Sequence, residues 1–492
     1  MSTSNTRATP EGPLSAIESS RDSGSKHAAS DSPATTAAGA WTKVASGCVA
    51  GPVIDRRRLL TGGLALSTVA CAQAGRLAAA PLAAPAETTA ETAAKHTLTP
   101  AQRPVGWPVW DDSDAAGLLE VLNSGHWGRG SGKRVAEFEE RWRETMRAKH
   151  CIATTSGTTA LMTALGALNI GPGDEVILPP YTFVATFNVI TDYFALPVFV
   201  DSDLESMQID AQKIGQAVTQ NTKLLLPVHI AGTPADLDAI GRVAQEKNLP
   251  FIEDACQAPL AVWRGQPVGT HGLGGCLSFQ ASKNLTAGEG GAVLTNDADF
   301  ANRCYDFHTP GGGRSSGTFG RGANFRMTEF QGSILLTQLA RLEAQAKQRD
   351  DNARYLSQLL SEIPGIKPAK LYDGCDRSAW HLYMFHYDPQ AFGGQPRDAF
   401  LAQLRQAGVS ASSGYTTLNN SKHVLALAEN PHYQKIYGSD FMAAWAERNA
   451  CPVNDQLCQQ AVWFTQTTLL GARGDMERIA AAIDQVRRAA TA

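Results

Sequence analysis

Lys283 sits in the run SFQASKNLTAGEGG, Ser278 to Gly291, on a loop rich in Ser, Thr and Gly. The flanking residues read as strands, Gly275 to Phe279 before it and Ala292 to Asn296 after it. A lysine on so short a tether between buried strands is desolvated, which lowers its pKa and frees a neutral amine to attack a carbonyl. The plainer alternative is a solvated loop lysine with glycines that only turn a hairpin.

What separates these readings lies upstream. The segment PFIEDACQAP, Pro250 to Pro259, is a short apolar strand that ends in Glu253 and Asp254, 29 residues before Lys283 (283 − 254). Open α/β sheets place their ligand groups at such strand ends. A carboxylate and a lysine at neighbouring strand ends are what pyridoxal phosphate requires: an acid to keep the pyridine nitrogen protonated and an amine to form a Schiff base. A third part is TTSGTTALMTALGAL, Thr154 to Leu168, where Ser156, Gly157, Thr158 and Thr159 open a helix with Leu161, Leu165 and Leu168 at helical spacing. The first N–H groups of a helix lack internal partners and its dipole favours an anion, so a phosphate fits there; an ordinary Ser/Thr cap is the alternative.

The ordered motifs SGTTAL, PPYTFVAT, EDACQA, SFQASKNLTAGEGGAVLTND and NFRMTEFQG resemble the DegT/StrS family of pyridoxal-phosphate aminotransferases of amino-sugar and aminocyclitol biosynthesis. The resemblance runs from about Trp107 to the C-terminus, and the TAGEGGAV run is similar to the aminohydroxybenzoate synthase and scyllo-inosose aminotransferase branches. It implies Lys283 as Schiff-base lysine and proton shuttle, Asp254 as partner of the pyridine nitrogen, Gln257 against the phenolic oxygen and Phe183 stacked on the ring. Gly157, Thr158 and Ser278 are the implied phosphate donors. Asn324 would reach the phosphate of a neighbouring subunit, making a homodimer with shared active sites. His126, Trp127, His229 and Arg326 are candidate substrate groups, with Glu289 of similar standing. The implied reaction is a ping-pong transfer from glutamate or glutamine to a keto-sugar, nucleotide-linked or free, or a keto-cyclitol. A dehydratase or lyase of the same family and a catalytically idle cofactor-binding dimer are the alternatives. Lys283 argues against the dehydratases in which a histidine replaces the lysine, and Cys256 departs from the small residue usual in EDACQA.

The elements that must hold these residues form an alternating pattern. Near-continuous apolar strands at 175–178, 197–200, 223–229 and 251–253 alternate with helices at 160–168, 183–193, 211–217 and 235–247. This predicts an α/β chain whose mostly parallel sheet is covered on both faces, and the resemblance implies an aspartate-aminotransferase-like large domain over 107–365. A helix starts near Thr328, with Phe330, Ile334, Leu335, Leu339 and Leu342 inward, and leads to a smaller α/β domain over 366–492.

Before Trp107 the composition changes. Residues 1–54 are Ser/Thr/Ala/Gly-rich without periodicity and read as disordered. Residues 55–86 carry Arg56, Arg57 and Arg58 ahead of a mild apolar run, which resembles a bacterial twin-arginine signal for export to the periplasm; an Ala-rich linker in a cytoplasmic protein is the alternative. That run is short of the roughly 20 apolar residues a membrane span needs. Residues 87–106 read as linker. The formal net charge of −4 leaves no footprint for nucleic acid. Nine cysteines without a CxxC pair or metal spacing predict no metal site, and Cys451 and Cys458 are a candidate disulfide in an oxidising compartment.

Overall fold

The computed structural model describes residues 106–310, 313–314 and 320–492. The expectations for 1–54 and 55–86, and all but Gly106 of the linker, lie outside those residues, as does much of the Gly311 to Gly322 loop.

The chain enters through α1 (Asp112–Ser124), where the Asp111 side chain accepts from Ser113 N, and α2 (Arg134–Thr145), which buries Val135, Phe138 and Trp142. Then comes the alternation: β1 (His150–Thr154), α3 (Gly157–Ala167), β2 (Glu175–Leu178), α4 (Ala185–Thr191), β3 (Leu196–Phe199), α5 (Ala211–Ala217), β4 (Thr222–Leu225), α6 (Leu237–Lys247), β5 (Ile252–Asp254), β6 (Gly274–Ser278), β7 (Gly291–Thr295) and α7 (Ala298–His308). The pairings run β1-β7-β6-β5 and β3-β2-β4, and parallel bridges Leu225↔Phe251 and Val228↔Asp254 join the two strips. Strand β7 is antiparallel to both neighbours; every other pairing is parallel. The strands are buried on both faces, which is why they read as continuous apolar runs.

Helix α8 (Glu329–Ser361) starts at a capping box in which the Thr328 hydroxyl accepts from Gln331 N and the Gln331 side chain accepts from Thr328 N. It runs 33 residues into the C-terminal part. There β8 (Ile366–Pro368), β9 (Leu382–Tyr387) and, after α9 (Arg397–Gln406), α10 (Lys422–Glu429), α11 (Pro431–Tyr437), α12 (Ser439–Arg448) and α13 (Pro452–Gln460), β10 (Ala461–Thr465) form an antiparallel sheet with β9 central. The last helix is α14 (Arg473–Thr491). Its core joins Tyr383, Phe385, Val462, Phe464 and Ile483.

Two expectations change here. The division at 366 separates the two sheets, but α10 to α12 pack on the first sheet's core: Trp445 Nε1 donates to Pro197 O at 2.7 Å and Tyr433 OH to Ala195 O at 2.8 Å. These helices are 7 to 10 residues long, too short for periodicity to declare them. Cys451 and Cys458 are both free and buried. Cys451 precedes α13 and Cys458 lies two turns along it, so about 10 Å of helical rise separates them, beyond the ~7 Å Cα limit of a disulfide.

Candidate active site

Strand β5 ends in Asp254, β6 ends in Ser278, and α3 begins beside both. A cavity of about 530 Å³ opens there, with Lys283 on its wall and His381 and Tyr415 contributed by the C-terminal part.

The start of α3 is a reciprocal cap: Ser156 Oγ accepts from Thr159 N at 3.1 Å, and Thr159 Oγ1 accepts from Ser156 N at 2.9 Å. That leaves the N–H groups of Gly157 and Thr158, both lining the cavity, without intrahelical acceptors. A Cβ on Gly157 would lie 2.6 Å from Ser278 Cβ and 3.0 Å from Cys256 Sγ. Glycine is what lets the helix end come so close to β5 and β6.

Asp254 is buried, and its carboxylate is held by two donors. Thr186 Oγ1 donates to Oδ2 at 2.8 Å, and Cys256 N donates to Oδ1 at 3.2 Å. Thr182 Oγ1 lies 2.9 Å from Thr186 Oγ1 and supplies the proton there, since Thr186 has spent its own on the carboxylate. Lys283 follows on a loop fixed by Lys283 N to Gln280 O (2.9 Å), Asn284 Nδ2 to Ala379 O (2.7 Å) and Trp107 Nε1 to Ala281 O (2.9 Å). Burial pushes the Lys283 amine below the ordinary lysine value, against the opposing pull of Cys256 and Asp254.

The Gln257 amide is oriented by its neighbours. Oε1 accepts from Ala231 N at 2.7 Å, so Nε2 faces the cavity side, where it donates to Tyr415 OH at 3.0 Å and keeps a second N–H. Burial pushes the Tyr415 phenol up to about 12. His381 Nδ1 lies 3.3 Å from Asn284 Oδ1, whose amide nitrogen is committed to Ala379 O, so Nδ1 carries the proton. Burial, with Lys283 and Arg349 nearby, holds this imidazole neutral, well below the usual histidine range.

Of the residues singled out from sequence, Lys283, Asp254, Gln257, Phe183, Gly157, Thr158, Ser278 and Glu289 line this cavity. His229 does not. It is wholly buried behind β5, with Nδ1 accepting from Ala235 N at 3.1 Å and Nε2 donating to Glu253 Oε2 at 3.0 Å. Glu253 also accepts from Gly269, His271 and Gly272 N–H groups, so the pair locks strand ends and has no free atom for substrate. His126 and Trp127 are exposed between α1 and α2 and outside the cavity lining; Trp127 packs on Phe330 at 5.7 Å and its carbonyl accepts from Glu329 N. Asn324 and Arg326 lie on an extended segment bridged to Thr154, also outside the lining. Sequence reading missed Thr186, His381 and Tyr415. Thr186 stands three residues after Phe183 in a motif already singled out, whereas His381 and Tyr415 arrive from a separate sheet with no local signal.

Among the described residues, no group of three or more His, Cys, Asp or Glu is arranged to hold a metal, and no helix is long and apolar enough to cross a membrane.

Known proteins share this architecture. The chain is 33% identical over 389 residues to 3-amino-5-hydroxybenzoate synthase of Amycolatopsis mediterranei (strain S699), covering 78% of this chain and 97% of that protein. It is 35% identical over 415 residues to L-glutamine:2-deoxy-scyllo-inosose aminotransferase of Streptoalloteichus tenebrarius, covering 78% and 94%. The crystal structure of 3-amino-5-hydroxybenzoic acid synthase superposes with a TM-score of 0.68 at 32% identity, covering 77% of this chain and 97% of that one. The model of the DegT/DnrJ/EryC1/StrS aminotransferase family matches residues 109–484, and the chain belongs to that family.

Proposed function

We propose that this aminotransferase works with pyridoxal 5′-phosphate and moves an amino group from glutamine or glutamate to a keto-sugar or keto-cyclitol by a ping-pong mechanism. The observation that carries the reading is that Lys283 and Asp254 line one cavity with the open N-terminus of α3. The donor set suits the cofactor: free N–H groups and the Ser278 hydroxyl for a phosphate, a buried carboxylate for a protonated ring nitrogen, and a buried amine for an aldehyde. When bound, the cofactor carries the amine between donor and acceptor and spreads the negative charge left on the substrate carbon into its ring.

The chain's own residues divide the remaining work. The Lys283 amine, whose ammonium form burial disfavours, is the nucleophile and then carries a proton to or from the substrate carbon. Asp254, fixed by Thr186 and Cys256 N, holds the ring-nitrogen proton. The second N–H of Gln257 is free for the phenolic oxygen. Phe183 is 56% exposed at the cavity, so its ring face is available for stacking, a gain on the order of 1 kcal/mol. Gly157, Thr158 and Ser278 hold the phosphate. Asn324, exposed on its own chain, completes a neighbour's phosphate site in a homodimer.

The glutamine-using relative supports an amino-acid donor and a keto-cyclitol acceptor. The test is an absorbance spectrum of the purified chain before and after L-glutamine or L-glutamate, followed by 2-deoxy-scyllo-inosose. The expected result is a cofactor band that needs Lys283, bleaches with the donor and returns with the acceptor. A chain that holds no cofactor refutes the reading.

A further inference from the structure

The ladder between β6 and β7 ends at the pair Ser278 and Gly291, and one further bond, Phe279 N to Gly290 O at 2.7 Å, carries the two backbones past it. Side chains alternate along this stretch. Ser278 lines the cavity, whereas Phe279 is buried on the opposite side against Phe138 and Trp142. The next pair outward is Gln280 and Glu289, which the alternation returns to the cavity side, and both line the cavity. They stand at the two ends of the loop that carries Lys283.

Each is held in a way that leaves its polar end unspent. Gln280 Oε1 accepts from Ser282 N at 2.9 Å and from Ser282 Oγ at 2.7 Å, so the amide nitrogen is turned away from Ser282 and keeps both of its N–H groups. The backbone carbonyl of Glu289 accepts from Gln331 Nε2 at 2.8 Å, which ties its strand end to the start of α8. Its carboxylate has no cation beside it among the described residues. A donor and an acceptor facing one space from opposite strands suit hydroxyl groups, which take one hydrogen bond and give another. The charge of the wall points the same way. Among the described residues Lys283 is its one cation, set against Asp254 and Glu289, so this wall offers nothing to balance the negative charges of a nucleoside diphosphate.

We propose that Gln280 and Glu289 select the amino acceptor: Gln280 donates to, and Glu289 accepts from, the hydroxyls of an uncharged polyhydroxylated cyclic ketone that carries no nucleotide. This deepens the aminotransferase reading above and rests on it.

The test uses 2-deoxy-scyllo-inosose as acceptor, scyllo-inositol as a polyol with no ketone to react, and uridine diphosphate as the charged competitor. With the cofactor-loaded chain, Gln280→Leu is expected to raise the acceptor KM about tenfold and Glu289→Ala about ten- to a hundredfold, because a charge-assisted hydrogen bond is lost in the second case. Glu289→Gln keeps the shape and one accepting oxygen and should recover part of that loss. In both variants the acceptor half-reaction is expected to fall at least about fivefold more than the donor half-reaction read by bleaching of the cofactor band. Scyllo-inositol should inhibit competitively against the acceptor, more weakly in both variants, and uridine diphosphate should not inhibit. Unchanged acceptor KM in both variants, inhibition by uridine diphosphate at lower concentration than by scyllo-inositol, or loss of cofactor from Gln280→Leu in equilibrium dialysis overturns the inference, the last by assigning Gln280 to the phosphate. Absence of transfer from every donor, alongside calorimetric binding of scyllo-inositol that depends on Gln280 and Glu289, would instead overturn the aminotransferase reading and leave the polyol site standing.

Discussion

Thr186 donates its hydroxyl proton to Asp254 Oδ2 at 2.8 Å, across 68 residues of sequence, and so fixes the carboxylate at the end of β5 from the first turn of α4. The Cys256 N–H holds the other oxygen, so the acid cannot rotate away from the cavity. Replacing Asp254 with Ala is expected to lower the transfer rate on the order of a hundredfold or more, because the proposed electrostatic partner of the cofactor ring is lost. Thr186→Val keeps the acid but frees one oxygen, and a fall of about tenfold is expected. Stopped-flow rates of the donor half-reaction check both; equal rates in Thr186→Val and the unaltered chain would show that the hydroxyl positions nothing.

Lys283→Ala is expected to remove transfer activity by about 10²–10⁴-fold or more, since the proposed nucleophile and proton carrier are lost together. Burial disfavours the ammonium, so the folded chain binds fewer protons at Lys283 than the unfolded chain does, and stability rises with pH through that range. The cofactor-free Lys283→Met chain should therefore be more stable than the unaltered one at neutral pH, by a margin that shrinks as pH rises. Denaturant melts from pH 7 to 10 measure it. Borohydride-trapped pyridoxal labelling should likewise persist at Lys283 to lower pH than at exposed lysines, and an identical pH midpoint would contradict the burial argument.

Gly157→Ala puts a methyl group 2.6 Å from Ser278 Cβ. Overpacking of that kind costs about 1–3 kcal/mol. Urea unfolding should show the loss, and equilibrium dialysis should show weaker retention of cofactor, because α3 moves back from Ser278. Undiminished retention would mean that the close approach of α3 serves packing alone.

His308 ends α7 fully buried, with Nδ1 donating to Tyr305 O at 2.7 Å and Nε2 without a partner among the described residues. Burial, with Arg129 and Arg326 adding to it, pushes the imidazole down to about 4. The unfolded chain therefore takes up a proton below the ordinary pKa of about 6.5 that the folded chain refuses, and stability falls between pH 6.5 and 4 by on the order of 3 kcal/mol. His308→Gln should flatten that fall in a thermal-melt series, and an unchanged slope would assign the acid sensitivity elsewhere.

Asp254 and the start of α3 were legible in sequence because each sits at the end of a strand or the start of a helix that announces itself by periodicity, and Lys283 because its loop joins two such strands. The capping residue Ser156 even marks which turn is open. His229 misled because a histidine at a strand end looks the same whether it faces a cavity or locks Glu253, and only the positions of Ala235 and Gly269 decide. His381 reaches the cavity through pairing of β9 and β10, segments some 80 residues apart, and Tyr415 through a bridge of Ser412 to Trp463 on β10, relations that local pattern does not carry. The parallel sheet was readable from doubly buried strands, while α10 to α12 were not, since their apolar residues answer to β3 and not to their own sheet.

Those three helices have a mechanical consequence. The C-terminal sheet is joined to the first sheet by α8 at one side and by α10 to α12 at the other, where His423 is bonded to Asn188, Tyr437 to Phe194 and Trp445 to Pro197. A plate pinned along two edges cannot swing like a door; it can only flex between its pins. His381 and Tyr415 are thus carried to Lys283 by a frame braced before any substrate arrives.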